Sequence, residues 1–181
     1  MLVATAEASA NIAQEAEQHG DVEVTVSLDA SAQSGRAEAA VRIHARAETI
    51  WPILTTCAEE LRLVPGLVSC EVVDTASDGS SQVIRQVVGY WFLPKVTYEI
   101  RATYEYPVHV HIERVAGDLR NLDCSWYLEP QGDYTVAHYS LDMTPGFWVP
   151  HWMVKFFLKH DLPKMLRDLR SRAEASYEAG R

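Results

Sequence analysis

The sequence predicts an α+β domain in which a curved antiparallel sheet of about seven strands wraps a long C-terminal helix. Three observations predict it. Most of the stretch from residue 22 to residue 143 alternates apolar and polar side chains, with turn residues between the runs. A helical period interrupts that alternation near residues 47–63, giving two short helices after the opening strands. From about Val149 to Tyr177 the period of three to four residues returns and persists.

Taken in order, residues 1–20 are rich in Ala, Glu and Gln with no strong apolar period, and read as a flexible or helical arm ahead of a domain at 21–178. Val22 to Leu28 alternates, as do residues 36–45, where Ala37, Ala39, Val41 and Ile43 share a face. Ala47 to Leu54 begins a helix, and Ala58 to Leu63 continues as a second, stopped before Pro65. Further strands follow near 67–75, 81–90, 95–106, 108–115, 120–129 and 134–143, separated by Asp78-Gly79, Tyr106-Pro107, Gly117-Asp118 and Gln131-Gly132-Asp133. In the strand at 95–106, Val96, Tyr98, Ile100, Ala102 and Tyr104 point one way and the charged residues the other. Val154, Leu158, Leu162, Met165, Leu166, Leu169 and Ala173 form the stripe of the final helix, which Pro163 should bend.

Composition excludes several classes. The chain has 181 residues and a net charge of -9, which argues against nucleic-acid binding, since phosphate recognition needs a basic face. Cys57, Cys70 and Cys124 lack CxxC spacing and read as free thiols, which points to a reducing, cytoplasmic setting. No apolar run is long enough to span a bilayer, and the N-terminal apolar stretch lacks the basic flank of a secretory signal. No cofactor motif stands out.

Local motifs then carry a family resemblance. "VRIHARAETIWPIL" (41–54), "LVPGLVSCEVV" (63–73), "VAGDLRNLDCSWYLEP" (115–130) and the stretch from Tyr139 to Ala175 resemble the START-like helix-grip superfamily, in its polyketide cyclase/dehydrase and coenzyme Q-binding branch. Cys124 departs from that pattern, standing near a position where the branch often has Gly. The resemblance spans roughly residues 36–175. It implies an apolar cavity between sheet and helix that holds a lipid, quinone or polyketide-like molecule, and in some members a cyclisation or dehydration.

The expected pocket residues are Tyr98, Ile100, Tyr104, Trp126 and Tyr139 on the sheet and Leu158, Leu162 and Met165 on the helix. The expected function is binding or transport of a mostly apolar molecule without chemistry. A cyclase, aromatase or dehydratase is the first alternative, with Tyr98, Tyr104 or Arg114 as polar handle. The second is an interaction module whose cavity is filled. Arg85 is a further inward-facing candidate. His109, His111 and Glu113 share one strand face, a geometry that can hold a metal, but the apolar side chains opposite make that face the solvated one. Trp91, Phe92, Trp148 and Trp152, with Lys95, Lys155 and Lys159 nearby in sequence, suggest transient membrane contact or packing on the short helices.

Overall fold

The computed structural model describes residues 22–28, 34–91 and 94–180. In chain order they form β1 (Glu23–Leu28), β2 (Gly35–Ile43), α1 (Ala47–Thr55), α2 (Cys57–Leu63), β3 (Leu67–Thr75), β4 (Ser81–Val88), β5 (Val96–Glu105), β6 (His109–Gly117), β7 (Leu119–Gln131) and β8 (Tyr134–Pro145). The chain then closes with α3 (His151–Phe156), a π-helical turn (Phe157–Asp161) and α4 (Leu162–Ala179). The arm expected at 1–20 lies outside the described residues.

Among the described residues one sheet holds eight strands, one for each of the eight alternating runs of the sequence, in the order β1-β2-β8-β7-β6-β5-β4-β3. All neighbours are antiparallel, and the β2–β8 pairing, with Ala39 opposite Tyr139, joins the two ends of the chain into one layer. The alternating strands put one parity inside: Ile84, Ile100, Ala102, Val110, Trp126 and Leu141 are buried, while Arg85, Arg101 and Glu113 stay in water.

α4 packs on β2 and α1. Small residues let the π-helical turn just before α4 also come close to β2. A Cβ at Gly35 would sit 2.8 Å from Leu158 Cδ1, and Ala37 and Ala39 continue the same face. The expected helical stripe from Val154 to Ala173 is buried in the core. Pro163 has no N–H to give the preceding turn, and the chain meets this with the wide turn at Phe157–Asp161 before α4 begins.

A close backbone approach fixes the start of β5. Gly117, at φ 98°, lies so near it that a Cβ would come within 2.4 Å of the Thr97 carbonyl oxygen. The neighbouring Asp118 carboxylate accepts the Thr97 N–H at 2.8 Å. Only Gly fits there, and the contact sets where Tyr98 enters the interior.

The cysteine expectation needs correction. Cys57 and Cys70 form a disulfide, their Cα atoms 5.3 Å apart, and Cys124 is the free, buried cysteine. The Pro65-Gly66 turn folds α2 back onto β3, which brings together two thiols that are 13 residues apart. The cytoplasmic expectation loses the support it drew from unpaired thiols.

Candidate apolar-ligand cavity

Away from the helix–β2 contact, sheet and helix separate and leave a cavity of about 240 Å³. Its walls come from α1, α2, β4 to β8, α3, the π-helical turn and α4, and they are mostly aliphatic and aromatic. Tyr98, Ile100, Trp126, Tyr139 and Met165 line it. Three other expected residues lie elsewhere. Leu158 and Leu162 are fully enclosed in the packed core under α4. The Tyr104 hydroxyl donates to Gln82 Oε1 at 3.0 Å, and its ring meets Trp51 edge-on.

Trp126 and Tyr139 face each other across β7 and β8 with ring centroids 4.5 Å apart. Cys124 lies beside them, and burial pushes its thiol up to about 12 while the hydrogen bond with Tyr139 acts the other way. This thiol is therefore protonated and unreactive at neutral pH.

The polar part of the cavity was not anticipated. Glu60 on α2 and Gln86 on β4 are both buried and both face the cavity. Gln86 Nε2 donates to Glu60 Oε2 at 2.7 Å. Burial raises the Glu60 carboxyl to about 7, and the Gln86 hydrogen bond only partly opposes that. Tyr98, the cross-strand partner of Gln86, has its phenol pushed upward by burial first and by the Glu60 charge second, so it stays a donor. A signal for Glu60 exists in the sequence. It sits three residues from both Cys57 and Leu63, on the inward stripe of α2. Gln86 likewise shares the inward parity of Ile84 and Val88.

The other candidates point elsewhere. Arg85 pairs with Glu99 and Glu71 on the outer face. Arg114 donates to the carbonyls of Leu119 and Gly117 and so holds the β6–β7 turn. His111 pairs with Ser125 across the strand, and Glu113 with Arg101, both on the outer face. Among the described residues, the grouping close enough to hold a metal is Cys57, Glu60 and Cys70, whose two sulfurs are joined to each other.

At one end of the cavity, Phe147, Trp152 and Phe156 line the wall and also reach the surface. Trp91 and Trp148 are 95% and 76% exposed. Phe92 lies outside the described residues. Among those residues no helix is long and apolar enough to cross a membrane.

A family model described as polyketide cyclase/dehydrase and lipid transport matches residues 43–170, more than two thirds of the chain. The chain belongs to this family. Its fold is shared by solved structures of low identity. A STAR-related lipid transfer protein fragment from Xanthomonas axonopodis superposes with a TM-score of 0.72 at 18% identity, covering 86% of this chain and 94% of that one. A START superfamily protein from Mycobacterium smegmatis gives 0.66 at 21%, covering 77% and 97%. The Zhui aromatase/cyclase from Streptomyces sp. R1128 gives 0.63 at 13%, covering 82% and 96%. No curated protein matches the sequence. The family and the cavity together make this a hydrophobic-ligand-binding domain of the START and polyketide-cyclase kind.

Proposed function

We propose that this protein binds and carries a mostly apolar small molecule, a lipid, quinone or polyketide-like compound, inside the cavity and does no chemistry on it. The observation that carries the reading is the cavity itself: a partly open space of about 240 Å³ with apolar walls from both the sheet and the helices. A filled-core interaction module would have no use for such a space. The exposed indoles of Trp148 and Trp152 beside it suit loading from an apolar surface, because an indole is amphipathic and settles at such a boundary.

The test is native mass spectrometry of the protein purified from its own host, with identification of what it retains. A stoichiometric apolar passenger, lost in an Ile112→Phe variant that narrows the cavity, supports the carrier. A chain that arrives empty, and whose melting temperature no lipid, quinone or polyketide moves, overturns it. Alanine at Trp148 and Trp152 should slow cargo exchange with phospholipid vesicles several-fold; unchanged exchange removes the loading role.

A second reading, a cyclase or dehydratase, is favoured by one observation. Glu60 titrates near neutrality in the same cavity as a protonated phenol, which is where an acid–base group would be useful. Of the three polar handles expected from sequence, Arg114 and Tyr104 are engaged by other groups, which leaves Tyr98. Turnover of a polyketide-like substrate that falls at least 100-fold in Glu60→Gln would replace the carrier reading with this one.

A further inference from the structure

We propose that Glu60, Gln86 and Tyr98 form a polar subsite that selects ligands bearing a hydroxyl group on an otherwise apolar body. The inference rests on the carrier reading and names the class of cargo.

Three elements bring these side chains to one stretch of wall: α2 supplies Glu60, β4 supplies Gln86, and β5 supplies Tyr98. Gln86 and Tyr98 are directly opposed in the β4–β5 register. The Gln86 amide meets one carboxylate oxygen of Glu60. The Cys70 sulfur lies 3.5 Å from that same oxygen, but as half of a disulfide it has no proton to give.

What these groups leave unused decides the ligand. The second Glu60 oxygen, the Gln86 side-chain carbonyl and the Tyr98 hydroxyl have no hydrogen-bond partner among the described residues. Tyr98 is enclosed by the fold yet keeps accessible surface, and the space it lines is the cavity. These groups open onto the cavity, so an apolar ligand that fills it would strip them of water without giving partners, which is costly, and a ligand that pairs them gains more than its apolar area alone provides.

The donor and acceptor pattern is specific. An alcohol or phenol gives its proton to the Glu60 carboxylate and takes one from Tyr98 on its own lone pair. A ketone or quinone can only accept, so it satisfies Tyr98 and leaves Glu60 facing a lone pair. A fatty-acid carboxylate would stand against the charge of Glu60 in a medium that screens little. A hydrocarbon pairs nothing. The expected order is therefore hydroxylated, then ketone, then hydrocarbon, with carboxylate excluded.

A matched pair of probes tests this: 4-hexylphenol and hexylbenzene, which differ by one hydroxyl, titrated into the full chain at pH 8 by calorimetry and by the fluorescence of Trp126 and Trp152, which line the cavity. The wild type should bind the phenol at least 10-fold more tightly than the hydrocarbon. Tyr98→Phe and Glu60→Gln should each reduce that preference to a few-fold, with hexylbenzene bound at least as tightly as by the wild type because one unpaired polar group has gone; that retained binding also shows that the variants remain folded. Equal affinity for both probes in the wild type overturns the selectivity and leaves the carrier intact. So does a preference that both variants keep. If neither probe binds, the carrier reading fails, and this inference fails with it.

Discussion

The two ends of the sheet make opposite use of the same kind of side chain. Over β2 the gap to the helix is filled: Leu158, Leu162, Leu166 and Leu169 are in one core cluster with Ala37, Ala39 and Val41. Over β4, β5 and β6 the gap stays open, although Ile100, Ile112 and Tyr98 are as apolar or as large. The difference lies underneath the helix. Gly35 lets Leu158 of the π-helical turn and Val154 of α3 come down onto β2, and Ala37 and Ala39 lie in the same packed cluster. The far end is then covered by α2 and by the stretch that carries Phe147 and Trp152, which roof the space without filling it. Small residues in β2 thus go with the packed end of the sheet, and larger ones with the end that keeps the cavity.

The largest effect should come from breaking the packed end. Leu169→Ala removes a side chain with no exposed surface, and should cost about 3 kcal/mol in urea denaturation while ligand affinity is unchanged. A loss below about 1 kcal/mol would mean this end is not packed as described. The open end has a liability of its own. The folded value of Glu60, about 7, lies above its ordinary 4.5, so its contribution to stability is fully present below pH 4.5 and is lost as the pH rises through 7. Between pH 5 and pH 8 the wild type should therefore lose up to about 3 kcal/mol relative to Glu60→Gln, measured as the difference between their denaturation midpoints converted to free energy. Parallel pH profiles for the two proteins would place Glu60 in water. Adding volume gives the smallest and most direct comparison. Ala39→Leu, under the helix, should cost about 1–3 kcal/mol, whereas Ile112→Phe, facing the cavity, should cost less than about 1 kcal/mol and abolish ligand binding. Similar losses at both positions would mean the two ends are equally full.

The fold was legible because half-buried strands write their parity into the sequence. Val96, Tyr98, Ile100, Ala102 and Tyr104 declare an inward face, and the leucines of α4 declare a stripe. Parity says which side chains face inward, but it does not say how far away the opposite wall stands. That is why Tyr98, Ile100, Trp126, Tyr139 and Met165 reach the cavity, while Leu158, Leu162 and Tyr104, chosen by the same rule, are packed elsewhere. Glu60 and Gln86 are hard to read from sequence for a related reason. A charge or an amide on an inward register looks like a boundary residue until the neighbouring elements are placed around it. The disulfide depends on α2 doubling back, a tertiary event that the spacing of Cys57 and Cys70 does not encode.

That disulfide bears on how often one wall of the cavity swings out. α2 carries the Glu60 carboxylate, and ionising it favours any excursion that returns it to water, by up to about 3 kcal/mol. Closing a loop of 13 residues withholds a similar amount, about 3 kcal/mol, from the open chain. The two terms oppose each other within one helical turn and nearly cancel. With the sulfurs joined, α2 opens only together with β3; with them separated, packing and the Gln86 hydrogen bond alone hold it against an ionised Glu60.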